Sequence, residues 1–135
     1  MRSFASINNL EKLKVYQLSR SLGKLVWDIV SKWSYSERKV IGDQWARATD
    51  STSANIAEGY GRYFFKESIK FYYYSRGSHF ESYDWFSKAK ERGLLSEEEI
   101  NQYSVISKQI PKELNILVKR TCTNAKNYNN KSVNQ

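Results

Sequence analysis

With 135 residues, one cysteine (Cys122) and a formal charge of +8, the chain has the size of a single domain and cannot close an internal disulfide. It also carries a field that attracts polyanions. A hydrophobic fraction of 40% with only six Gly and one Pro suits amphipathic helices and leaves too few turn residues for a many-stranded fold. Met1 to Asn9 holds no long apolar stretch, and nowhere do about 18 apolar residues run together, so the expectation is a cytoplasmic protein without a membrane role.

From Leu10 to Trp33, the residues Val15, Leu18, Leu22, Leu25, Val26, Ile29 and Trp33 recur every three or four positions and predict a first helix near 10–33. Ser34 and Glu37 have capping-box spacing and open a second helix near 36–58. Gly59, Tyr60 and Gly61 are expected to end it, since glycine accepts the left-handed conformation that closes a helix. A third helix is predicted near 66–92, with Gly93 just past its end. Ser96 and Glu99 open a fourth near 97–120, whose seam is Tyr103, Ile106, Ile110, Leu114 and Leu117, with a kink expected at Pro111. The Asn- and Lys-rich residues 122–135 lack apolar rhythm and are read as a disordered tail after a bundle over 1–121. Four helices with short connections predict an all-α, antiparallel up-and-down four-helix bundle.

The second helix shows two rows rather than one stripe. Ile41, Trp45, Ala48, Thr52 and Ile56 form the apolar row. About a quarter-turn away lie Gln44, Arg47, Ser51, Asn55, Glu58 and Arg62, among small residues that let another helix approach. Gln44, Ser51, Asn55 and Glu58, with Glu81 of the third helix, are therefore expected to form a structural polar network; the plainer reading of such a row is a solvated face. In the third helix, Ile69, Tyr72, Tyr73, Arg76, Phe80 and Tyr83 share one side, while Glu67, Phe71, Tyr74, Ser78, Glu81 and Trp85 lie nearly opposite. A single bundle core covers only one of these seams. Phe71, Tyr74, Ser78 and Trp85 are accordingly expected to meet a second subunit, the alternatives being another partner, RNA bases stacked on the rings, or a merely decorated surface.

Catalytic chemistry finds little footing. The single His79 cannot supply the paired Glu-x-x-His pattern of bundle metal sites, Cys122 lacks a recognisable base, and no metal or cofactor is expected. Lys12, Lys14, Arg20, Lys24, Arg47, Arg62, Lys66 and Lys70 are the candidate phosphate contacts.

The run Gln44-x-x-Arg47-Ala48-x-x-Ser51-x-x-x-Asn55-Ile56-Ala57-Glu58-Gly59-x-Gly61-Arg62, with Glu67 and Gly77-Ser78-x-x-Glu81 after it, resembles the bacterial 23S rRNA intervening-sequence protein family. The resemblance extends from about Phe4 to Val118 and departs from the family pattern at Arg76 and Pro111. It implies a four-helix bundle that assembles as a ring-like homopentamer. The chain is also distantly similar to the accessory protein of diversity-generating retroelements, a basic pentameric bundle associated with nucleic acid. Together these readings predict a homo-oligomeric, non-enzymatic, RNA-associated protein. The alternative is a structural adaptor that binds a protein partner and uses its charge only for solubility.

Overall fold

The computed structural model describes residues 5–133, which are all-helical with no strand among them. Seven α-helices follow in order: α1 (Ile7–Lys12), α2 (Lys14–Val30), α3 (Tyr35–Glu37), α4 (Asp43–Tyr60), α5 (Phe65–Glu91), α6 (Glu97–Ser107) and α7 (Ile110–Val133). A π-turn over Arg38–Gly42 joins α3 to α4 without a break.

Local chemistry explains most of these boundaries. Ser34 Oγ accepts from the Glu37 amide at 3.2 Å while the Glu37 carboxylate accepts from the Ser34 amide at 3.2 Å. The same reciprocal pair joins Ser96 and Glu99 at 3.1 and 2.8 Å, so both expected capping boxes form. Gly93, at φ 70°, ends α5, and behind it the Leu94 amide reaches back to the Ala89 carbonyl at 3.0 Å.

Elsewhere the elements differ from expectation. The first helix is split at Leu13, which is extended at ψ 124°. The expected fourth helix is two: α6 stops at Ser107, and α7 starts at Ile110 with Pro111 in its first turn, where its missing amide leaves no hydrogen bond unmade. The second helix runs on to Tyr60, and Gly61 closes it in a right-handed conformation, φ −80°. Gly59 therefore lies inside α4, and its role is spatial. A Cβ there would stand 2.8 Å from a Tyr72 ring carbon, 2.9 Å from Phe71 Cβ and 2.9 Å from the Ser68 carbonyl, so only glycine lets α5 come this near. The disordered tail expected over 122–135 is instead helix as far as Val133; residues 134 and 135 lie outside the described residues. Thr121, Ala125 and Tyr128 turn toward the body, and the Tyr128 ring lies 6.2 Å from Phe65 of α5.

The core centres on Trp45, fully buried, with Trp33, Phe86 and Tyr103 around it at ring separations of 5.8, 6.2 and 5.7 Å. Phe86 and Tyr103 stack at 4.1 Å. Leu22, Val26 and Ile29 of α2 and Ile110, Leu114 and Leu117 of α7 complete it. The apolar row of α4 is buried throughout, as expected.

Neither seam expected on α5 is its buried face. The residues that point inward are Ser68, Tyr72, Ser75, His79, Ser82, Phe86 and Ala89, spaced four and three, with small and large side chains alternating. Small residues bring α4 and α5 together, and each buried hydroxyl must then find a partner, because an unmet one costs roughly 1–3 kcal/mol. Ser75 Oγ donates to the Thr52 carbonyl at 2.7 Å, and Ser68 Oγ to that of Phe64 at 3.3 Å. Ser82 stands 2.7 Å from Thr49 Oγ1 and 2.8 Å from the Tyr103 hydroxyl.

Candidate functional site

Because Gly59 allows close contact, the outward row of α4 and the Phe71 side of α5 form one continuous surface. Asn55 Nδ2 donates across the two helices to Ser78 Oγ at 3.4 Å. Glu58 and Arg62 pair at 2.6 Å, and the Arg62 guanidinium lies 4.7 Å from the centroid of the Phe71 ring. Phe71 meets Tyr74 edge-on at 5.5 Å, with Lys70 5.8 Å from the Tyr74 ring. Farther along α5, Trp85 Nε1 donates to Glu81 at 3.5 Å while Lys88 sits 4.6 Å from the Trp85 ring.

The expected polar network is thus a surface strip within one chain. Ser51 and Asn55 are half-buried, Ser51 Oγ donating back to the Arg47 carbonyl at 2.8 Å, while Gln44, Glu58 and Glu81 face solvent. Of the four residues expected to meet another subunit, Phe71, Ser78 and Trp85 are half-buried and Tyr74 is exposed. The rings with cations near them are partly or largely exposed, an arrangement that suits a further surface laid against them.

Seven of the eight candidate phosphate contacts are exposed; Arg62 is half-buried. Lys14 pairs with Glu113 at 3.4 Å and Lys24 with Asp28 at 3.2 Å. The solvent-exposed Lys24–Asp28 pair contributes about 0–1 kcal/mol and is readily exchanged for a phosphate, whereas the Glu113 side chain is only 15% exposed. Arg20 donates to the Tyr16 hydroxyl at 2.8 Å. Partial burial raises the pKa of the Asp50 carboxyl above its ordinary value, and the Arg20 charge opposes that rise. Lys12, Arg47 and Lys66 make no ion pair among the described residues.

His79 acquires a role that sequence reasoning did not assign. It is 4% exposed, and its Nε2 lies 3.1 Å from both the carbonyl and the Oγ of Ser107, joining α5 to the end of α6. Burial lowers its pKa, partly opposed by the Ser107 carbonyl. The pair does not resemble a Ser–His nucleophile: Nε2 facing a carbonyl carries the proton that a general base must lack, and Nδ1 has no orienting partner. Beside it lies a cavity of about 410 Å³ bounded by Phe80, Tyr83 and Lys108. No group of three His, Cys, Asp or Glu side chains suited to a metal occurs among the described residues. No helix among them is long and apolar enough to cross a membrane.

Fold and surface together define a basic all-helical protein with a cation-capped aromatic strip along two closely packed helices. Residues 11–116 match the family of 23S rRNA-intervening sequence proteins, and the chain belongs to that family. No curated protein matches it.

Proposed function

We propose that the chain is a cytoplasmic, non-enzymatic, homo-oligomeric protein that associates with RNA, each subunit an antiparallel up-and-down four-helix bundle. The observation that carries this reading is the set of solvent-facing cations without a fixed carboxylate, Lys12, Arg47 and Lys66, beside Lys24 in an exchangeable surface pair. Phosphates compete well for such groups, and repeating a weak cationic face in a ring multiplies its affinity. The family's name, which refers to 23S rRNA, supports the same partner class.

The antiparallel arrangement is supported by pairings that climb one helix as they descend the other: Gly59 against Ser68 and Tyr72, Thr52 with Ser75, Thr49 with Ser82, and Trp45 against Phe86. Oligomerisation is supported by the aromatic strip, and five is the subunit number implied by the family resemblance.

Retention of single-stranded RNA by the purified protein, measured across a salt series, tests the reading. Replacing Lys12, Lys14, Arg20 and Lys24 together by glutamine should weaken binding and flatten the log-log salt slope by up to about 3, at roughly 0.7 per lost phosphate contact. An unchanged slope and affinity would remove these four residues from the interface. Absence of retention at low salt would favour the adaptor reading, in which charge serves solubility.

A further inference from the structure

A second cavity, of about 400 Å³, opens where the end of α2 meets α3, the π-turn and the start of α4. Its size falls within the roughly 300–1,000 Å³ of small-ligand pockets. Two aromatic side chains line it with their rings largely in water: Trp27 is 64% exposed and Tyr35 70%. The core does not need them, since Val30 and Trp33 seal it beneath.

The backbone builds the rest of the site. The capping box at Ser34 starts α3 so that Tyr35 is its first residue, outside the body. The π-turn then adds a residue to the ladder, turning Ile41 and Gly42 inward and leaving Arg38 and Lys39 in solvent at the cavity edge. Gly42 sits so close to α2 that a Cβ would stand 2.7 Å from Val30 Cγ1, which fixes the turn against the end of that helix. Lys39 Nζ lies 5.8 Å from the centre of the Tyr35 ring, and among the described residues Asp43 is the one acid lining the cavity.

Two exposed rings beside two cations and one acid call for a flat, π-faced ligand with negative charge. We propose that this cavity binds an unpaired nucleotide of single-stranded RNA, its base stacked on Trp27 or Tyr35 and its phosphate at Arg38 and Lys39. The proposal deepens the RNA-associated reading above and rests on it. Stacking needs a free π-face, so a base already stacked inside a duplex cannot serve. A purely electrostatic site would have no use for the rings.

The test compares wild type with a Trp27→Ala/Tyr35→Ala double variant on three probes: a short single-stranded RNA, an RNA duplex of equal length, and inorganic polyphosphate. Both side chains are exposed, so the helical circular dichroism should be unchanged; Trp27→Ala alone and titration of wild-type tryptophan fluorescence with uridine monophosphate provide second measurements. The double variant should lose roughly 5- to 150-fold on single-stranded RNA, the range for one stacked base. Its polyphosphate and duplex affinities and its salt slope should stay put. Equal single-stranded affinity for variant and wild type would overturn this site while leaving the RNA reading intact. A parallel loss on polyphosphate would also overturn it, reducing the cavity to general charge. If wild type retains no RNA at any salt, the RNA reading itself fails and this site falls with it.

Discussion

Ser82 sits at the middle of a hydroxyl chain whose direction is fixed. Thr49 has one hydroxyl proton, and it goes to the Trp45 carbonyl at 2.7 Å. Ser82 must then donate to Thr49 Oγ1, and the Tyr103 hydroxyl must donate to Ser82 Oγ. In Ser82→Ala the Tyr103 hydroxyl, in a fully buried residue, loses this acceptor, while Thr49 keeps its carbonyl. Losing this acceptor should cost roughly 1–3 kcal/mol, toward the lower end where the Ser107 hydroxyl takes its place. Tyr103→Phe removes the donor and leaves Ser82 bonded to Thr49, so about 1 kcal/mol is expected. The double variant orphans neither partner and should cost about as much as Ser82→Ala alone, giving a coupling on the order of 1 kcal/mol. Urea unfolding of the four proteins, followed by far-ultraviolet circular dichroism, measures all three differences. Additivity within about 0.5 kcal/mol would refute the directional chain.

Three other outcomes follow from the packing. Gly59→Ala gains about 1 kcal/mol of helix preference but drives a methyl into Phe71 Cβ and the Ser68 carbonyl, neither at the end of a flexible side chain, so the net effect in urea should be a loss of about 1–2 kcal/mol. His79 has its pKa lowered by burial, so the unfolded chain takes up the proton first as pH falls below 6.5; stability should decline from pH 7.5 to 5.5, and His79→Gln should flatten that decline in denaturation midpoints. Light scattering should find the wild type oligomeric at micromolar concentration and a Phe71→Glu/Trp85→Glu variant dissociated; a monomeric wild type would refute self-association, and an intact oligomer in the variant would refute this seam.

What could be read from the sequence was whatever local chemistry decides. Ser34–Glu37 and Ser96–Glu99 act within one turn, Gly93 carries its own backbone preference, and the α4 row from Ile41 to Ile56 is apolar enough to show its period. The inward face of α5 escaped notice because Ser68, Ser75 and Ser82 look polar. These three serines are buried against partners at Thr49, Thr52, Phe64 and Tyr103, and three of those four come from other helices. Pro111 was misplaced for a related reason: a proline kinks a helix interior but fits a first turn, and which applies depends on the Ser107–Ile110 junction before it. At the candidate site, the rows on α4 and α5 could be seen separately, but the Asn55–Ser78 bond joining them depends on the helix approach permitted at Gly59.

An inserted residue is also a removable one. Deleting one position from the π-turn would restore a regular α-helical ladder and rotate the short segment from Tyr35 into the turn by about 100° about the axis of α4. Tyr35, Arg38 and Lys39 would swing away from Trp27, while the helix from Asp43 onward could keep its place around Trp45. The turn therefore works as a phase setting between the cavity rim and the helix from Asp43 onward. One codon in the turn thus decides whether Tyr35 stands beside Trp27.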